Sequence, residues 1–128
     1  MALILIIDDS SYQRTALRDM LYQAGYHAVE AADGQEGLER IAEFNPDCIV
    51  SDLLMPRMGG LELLEALQKL NSAPPIIIVT SSRQQGVRER CLELGAAAFL
   101  NKPLGEDLLL SAVRNTLEPT PSSRDGGQ

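Results

Sequence analysis

Asp52 closes the run Cys48-Ile49-Val50-Ser51-Asp52, and Leu53-Leu54-Met55-Pro56 follows at once. A carboxylate at the C-terminal tip of a buried strand lies where open α/β sheets present their chemistry. Alone, such an Asp is more often a turn residue or a helix cap. Three other apolar runs end the same way: Ile6-Ile7-Asp8-Asp9, Ile78-Val79-Thr80-Ser81 and Phe99-Leu100-Asn101-Lys102-Pro103. If these ends share one edge of a sheet, Asp8, Asp9 and Asp52 crowd into one cleft. Their repulsion then calls for a proton or a cation. Hard oxygen ligands with space for water suit Mg²⁺ better than zinc, and no His or Cys stands at these strand ends. Lys102 adds a fixed positive charge, and Thr80 a hydroxyl that can donate to an oxyanion. Together these groups form equipment for accepting a phosphoryl group: metal and lysine neutralise the transferring oxygens while Asp52 attacks.

The elements that must position them alternate along the chain. Leu3 to Ile7 reads as a short apolar strand. Ser10 or Ser11 can cap a helix whose buried stripe is Ala16, Leu17, Met20, Leu21 and Ala24, and Gly25 ends it. His27 to Ala31 alternates polar and apolar, as an edge strand does. Asp33-Gly34 opens a second helix with Leu38, Ile41 and Ala42 inward, stopped at Asn45-Pro46. After the Cys48 to Ser51 strand, Pro56 and Gly59-Gly60 make a loop. A helix with Leu63, Leu64, Leu67 and Leu70 as its stripe follows. Ile76 to Val79 is a continuous apolar strand of the kind buried on both faces. A fourth helix carries Val87, Cys91 and Leu94 and ends at Gly95; Ala96 to Leu100 is the fifth strand. The last helix, residues 106–117, buries Leu109, Val113 and Leu117. Strict alternation of five strands and five helices predicts a parallel sheet with right-handed crossovers and helices on both faces.

Composition narrows the function classes. The chain has 128 residues, enough for one domain with a real core, and 45% of them are apolar. Eighteen acidic against eleven basic residues give a net charge of −7, which disfavours nucleic acid or an anionic membrane as the main partner. The run Ala2 to Ile7 lacks a basic flank and stops at two aspartates, so it is neither a signal peptide nor a membrane span. Cys48 and Cys91 form no disulfide framework or metal spacing; they read as small buried hydrophobes in a reducing cytoplasm. Residues 118–128, rich in Pro, Ser and Gly, read as a flexible tail or linker.

The motif set resembles the response-regulator receiver domain of two-component signalling. Asp8-Asp9 follows the first strand, Asp52 the third with Met55-Pro56 beyond it, Thr80 the fourth and Lys102-Pro103 the fifth. The likeness covers Leu3 to about Leu117, so residues 1–117 are expected to form the receiver. It implies a flavodoxin-like (βα)5 fold, a doubly wound α/β sandwich with strand order 2-1-3-4-5. It also implies that Asp52 is the phosphoacceptor. Asp9, Asp52 and the Leu54 carbonyl would bind Mg²⁺, with Asp8 assisting through water. Thr80 and Lys102 would hold the phosphoryl oxygens, Thr80 and Phe99 would form a switch, and Pro103 is the candidate for a cis peptide bond. The implied partners are a sensor histidine kinase or phosphotransfer protein and a downstream output domain or target, with a phosphorylation-dependent dimer as one output.

Two positions depart from the commonest pattern. Gly59 stands where Asp or Asn often precedes the glycine, so that loop is expected to be looser. Leu104 replaces a frequent Phe. His27, the only histidine, reads as a solvated surface residue. Gly34 and Gly37 make no phosphate-cradling loop. Leu92, Leu108 and Leu110 are either the margin of a buried face or an exposed contact for a partner.

Three function classes compete. A phosphorylation-controlled switch would catalyse only its own phosphorylation and slow dephosphorylation. A haloacid-dehalogenase-like phosphatase would need a second Asp where Leu54 stands, and a cap-sized insertion. An interaction module working without phosphorylation would lack the acceptor or the lysine, and both are present. The switch fits best. Residues 118–128 leave no room for an output domain, so a stand-alone regulator and a receiver cut from a longer protein both remain open.

Overall fold

The computed structural model describes residues 2–118; of the expected tail, residues 119–128 lie outside the described part. The order is β1 (Leu3–Ile7), α1 (Ser11–Gln23), β2 (His27–Ala31), α2 (Gly34–Phe44), β3 (Cys48–Asp52), α3 (Gly60–Gln68), β4 (Ile76–Thr80), α4 (Val87–Glu93), β5 (Ala98–Asn101) and α5 (Glu106–Leu117). All five strands run parallel in the order β2-β1-β3-β4-β5, the expected flavodoxin-like topology. β2, the strand with the alternating pattern, is an edge.

Strand side chains alternate between two apolar layers because successive residues face opposite sides of a sheet. Leu5, Ile7, Ile49, Ile76 and Ile78 pack with Leu63, Leu64, Leu67 and Cys91 on the α3 and α4 side. Ile4, Ile6, Val50, Ile77 and Val79 pack with Leu17, Leu21, Leu109 and Val113 on the α1 and α5 side. Burying each such side chain stabilises the fold by about 1.5–3 kcal/mol, so the sheet is a stiff support for its ends. No helix among the described residues is long and apolar enough to cross a membrane.

Several expected margins shift. Ala24 is exposed because it caps α1 at its C-terminal end, and Leu70 because α3 stops at Gln68. Ala42 is exposed because α2 turns Gly34, Gly37, Leu38 and Ile41 inward instead. β5 starts two residues later than the apolar run, at Ala98, since the Ala96 N–H turns back to the Cys91 carbonyl at 3.0 Å and closes the end of α4. β3 extends one residue further, so Asp52 is itself paired in the sheet, opposite Val79.

Two glycines set close approaches. A Cβ on Gly37 would meet Ile7 Cδ1 at 2.6 Å, so α2 can lie directly on β1. A Cβ on Gly60 would sit 2.9 Å from the Asp52 carbonyl oxygen and 3.0 Å from Leu53 Cα. The Gly60 N–H donates to the Leu53 carbonyl at 2.8 Å, so α3 starts against the backbone of the candidate acceptor.

Candidate functional site

The ends of β1, β3 and β5 deliver their charged side chains to one edge of the sheet. Asp8, Asp9 and Asp52 each offer a carboxylate oxygen, and these atoms lie within 4.8 Å of one another. Lys102 Nζ reaches between two of them, 3.2 Å from Asp8 Oδ2 and 3.5 Å from Asp52 Oδ2. Asp8 is buried, Asp52 half-buried and Asp9 exposed, so the cleft has a closed floor and an open rim.

Each wall is held by identifiable bonds. Asp8 Oδ1 accepts the Ser10 N–H at 2.9 Å. The Asp8 N–H donates to the Ala31 carbonyl at 3.1 Å, and its own carbonyl accepts Arg14 Nη1 at 2.6 Å. Asp52 Oδ1 accepts the Leu53 N–H at 2.7 Å. Burial pushes the Asp52 carboxyl above its ordinary value; the Lys102 ammonium pulls it back, and the Asp8 charge adds to the rise. Beyond Asp52 the loop is pinned from the side: exposed Arg57 pairs with buried Asp33, and the Gly34 N–H donates to the Met58 carbonyl at 2.9 Å. The backbone N–H of Glu36, together with Arg57, holds the Asp33 carboxyl below the usual range. The loop expected to be loose at Gly59 is closed there, since the Gly59 N–H donates to Glu62 Oε1 at 2.9 Å.

β4 and β5 complete the edge. Thr80 is buried at the end of β4, one residue past the partner of Asp52. Its hydroxyl accepts the Ser82 N–H at 3.1 Å, and its carbonyl accepts the Lys102 N–H at 2.8 Å. Phe99 lies opposite Ile78 and packs, partly buried, on the α3 and α4 side, the face that Thr80 shares. The Lys102–Pro103 peptide bond is cis. Leu54 is 65% exposed and lines a groove of about 470 Å³ with Met55, Leu61, Ser82 and Val87.

The donor chemistry fits a hard divalent cation. Three carboxylate oxygens face one another against a single ammonium, and the exposed rim leaves access for water ligands. Thiol and imidazole ligands take no part in the cluster.

The family model for the response regulator receiver domain matches residues 4–114. The chain belongs to the response regulator receiver family. This receiver is 32% identical to the chemotaxis protein CheY of Bacillus subtilis over 115 residues, 89% of this chain and 96% of that one. It is 38% identical over 117 residues to the response regulator MprA of Mycobacterium ulcerans, covering 91% of this chain but 50% of that longer protein. Among solved structures, it superposes with a TM-score of 0.86 on the signal receiver domain of a histidine kinase from Syntrophus aciditrophicus, at 32% identity, covering 92% of this chain and 91% of that one. The chain is thus a receiver domain of the two-component response-regulator kind.

Sequence reasoning missed the supports of this receiver's site. Arg14 lies six residues from Asp8, and its other partner, Glu30, sixteen residues on, so no local spacing marks the triplet. Asn101 carries no signal of its own beside Lys102, yet its Nδ2 donates to the carbonyls of Thr80 and Ser82, at 3.2 and 2.8 Å. Arg57 carries no signal for Asp33, twenty-four residues away. Of the three leucines left open, Leu110 packs on the α1 and α5 layer, whereas Leu92 and Leu108 are exposed.

The raised Asp52 carboxyl has a consequence for stability. The folded receiver binds that proton more tightly than the unfolded chain, so ionising Asp52 costs stability. The cost is absent below the ordinary value of 3.8 and complete once the pH exceeds the raised folded value. Asp52→Asn removes the ionisation. In excess chelator the variant is expected to be the more stable protein at about pH 7, with the gap shrinking towards about pH 4. Urea midpoints at the two pH values check this; a gap that widens on acidification would contradict it.

Proposed function

We propose that this receiver accepts a phosphoryl group on Asp52, in the presence of Mg²⁺, from the phosphohistidine of a sensor kinase or phosphotransfer protein in the cytoplasm. Residues 1–117 act as the receiver and 118–128 as a tail or linker. The observation that carries this reading is the convergence of three carboxylate oxygens within 4.8 Å, with one lysine against two of those side chains. Asp9, Asp52 and the Leu54 carbonyl would hold the ion, Asp8 assisting through water. When bound, the ion supplies positive charge to the oxygens of the transferring group.

The chain's own groups do the rest. The Leu53 N–H holds Asp52 Oδ1, which leaves Oδ2, on the Lys102 side, to attack phosphorus. The new P–O bond forms as the P–N bond to the donor imidazole breaks, and the departing nitrogen recovers its proton from water. Lys102 then exchanges its contact with Asp52 for one to a phosphoryl oxygen, and the Thr80 hydroxyl donates to another. Drawing Thr80 to the site opens space that Phe99 fills by turning inward, which remodels the α4-β5-α5 surface. That surface controls an output domain, a target protein or a second phosphorylated copy, with exposed Leu92 and Leu108 among its contacts. Hydrolysis is slow: Leu54, at the rim, cannot hydrogen-bond the water that must approach opposite the Asp52 oxygen.

Acetyl phosphate with Mg²⁺ is expected to label Asp52, located by mass spectrometry after borohydride trapping. Undiminished labelling of Asp52→Ala, or of wild type in excess chelator, would refute the reading. The switch requires roughly 5.5 kcal/mol of differential interaction to pass from 1:99 to 99:1, within reach of a few charge-assisted bonds to a dianion. Beryllofluoride should accordingly move amide resonances between Arg83 and Leu117, and static resonances there would remove the proposed coupling. Finally, Leu54→Asn places a carboxamide where it can orient water. The lifetime of phospho-Asp52 should shorten about tenfold, the effect of 1.36 kcal/mol on the barrier; an equal or longer lifetime in the variant would place the control of water elsewhere.

A further inference from the structure

Among the described residues, Asp9 is the one member of the acidic cluster whose side chain makes no hydrogen bond or ion pair; Asp8 and Asp52 share Lys102. Its position is set through its backbone, which hangs from the Asp8–Asp9 peptide unit. Because that unit is planar, fixing the Asp8 carbonyl also fixes the Asp9 N–H and the direction in which the Asp9 Cα leaves. Arg14 holds the carbonyl, with Nη1 donating at 2.6 Å. The same guanidinium is held from behind: Nε donates to Glu30 Oε1 at 2.9 Å, while Glu30 Oε2 accepts Arg18 Nη1 at 2.8 Å. The Arg14 side chain is 18% exposed and that of Glu30 27%, against 54% for Arg18, so the inner pair is largely shielded. A planar fork can serve a carbonyl and a carboxylate at once, which a lysine ammonium cannot do in the same geometry.

We propose that Arg14, braced by Glu30 on the edge strand, is a positioning residue for the cation site, holding Asp9 in the cluster through the Asp8 carbonyl. The inference rests on the reading that the cluster takes up Mg²⁺. The arrangement is at first sight paradoxical, since a cation site gains nothing electrostatically from a guanidinium close behind it. By Coulomb's law alone, removing that charge should tighten Mg²⁺ binding. Positioning predicts the opposite, so the sign of the change separates the two accounts.

The test is Mg²⁺ titration calorimetry on the full chain, with far-UV circular dichroism to establish that each variant is folded. Arg14→Ala is expected to bind Mg²⁺ about tenfold more weakly than wild type, or about 1.4 kcal/mol. Arg14→Lys keeps the charge and loses the fork, so Coulomb's law predicts no change and positioning predicts a severalfold loss. Arg18→Ala removes a charge without touching Asp8, and should bind as tightly as wild type or more so. In metal-free spectra the Asp9 and Ser10 amide resonances should move in Arg14→Ala and stay in place in Arg18→Ala. Mg²⁺ uptake by Arg14→Ala at wild-type affinity or better overturns the inference. Should that variant fail to fold, wild-type affinity in Arg14→Lys overturns it instead. A wild-type chain that takes up no Mg²⁺ overturns the cation reading and this inference with it.

Discussion

Like charges brought together without enough counter-charge are the constraint on which this structure depends. Asp8, Asp9 and Asp52 face one another with a single ammonium between two of them. At an effective dielectric of about 20, two unit charges 4.8 Å apart repel by on the order of 3.5 kcal/mol. No local preference of the chain would create such a cluster. It survives because its members are carried on strands whose pairing and burial are decided elsewhere, in two apolar layers far larger than the cleft. Lys102 and Asp8 stand ninety-four residues apart, and they meet only when β1, β3, β4 and β5 are all in register. The strain of the cleft is thus a property of the whole fold, and added positive charge there would relieve it.

The supports of the cleft follow from the same geometry. β2 is an edge strand, and its Glu30 pairs with Arg14 and Arg18 of α1, of which Arg14 also bonds the Asp8 carbonyl. α2 reaches the loop after Asp52 through Asp33 and Gly34, and Gly60 lets α3 start against the backbone of Asp52 itself. These contacts are short-ranged and local to the sheet edge, so they can set ångström-scale positions without contributing much to the stability of the core.

The sheet and the convergence of polar strand ends were legible in the sequence because both obey periodicity. Apolar runs such as Ile76 to Val79 cannot be satisfied outside a doubly covered sheet, and parallel strands must point their C-terminal ends the same way. Helix margins were less legible. Ala24, Ala42 and Leu70 fit the spacing of a buried stripe, but burial also depends on where a helix stops and on which neighbour lies above it. α2 approaches through Gly34 and Gly37, residues with no apolar side chain to register in a hydrophobic pattern. The supports formed by Arg14, Glu30, Arg57 and Asn101 were illegible for a different reason. They are single polar contacts between distant segments, and an arginine on a helix surface gives the same local signal whether it is solvated or bonded to a loop.

The two sides of the cleft are held unequally, and under the proposed switch this difference would give a local charge a route to a distant surface. On one side, the acidic loop is fixed by the Ser10 N–H, the Ala31 carbonyl, Arg14 and Lys102. On the other, the chain after Thr80 leads into α4, a helix of seven residues with Cys91 as its one buried member. That helix starts at Gly86, in the left-handed region at φ 88°, with no side-chain cap. Segments with few buried apolar contacts and uncapped ends open at low free energy. A charge added at Asp52 therefore meets a braced wall towards β1 and a yielding one towards α4. The Thr80 carbonyl accepts from both the Lys102 N–H and Asn101 Nδ2, so movement of the β4 end carries the β5 end with it. In the proposed switch, displacement would thereby be directed to α4, β5 and, through the chain that follows Lys102, the start of α5.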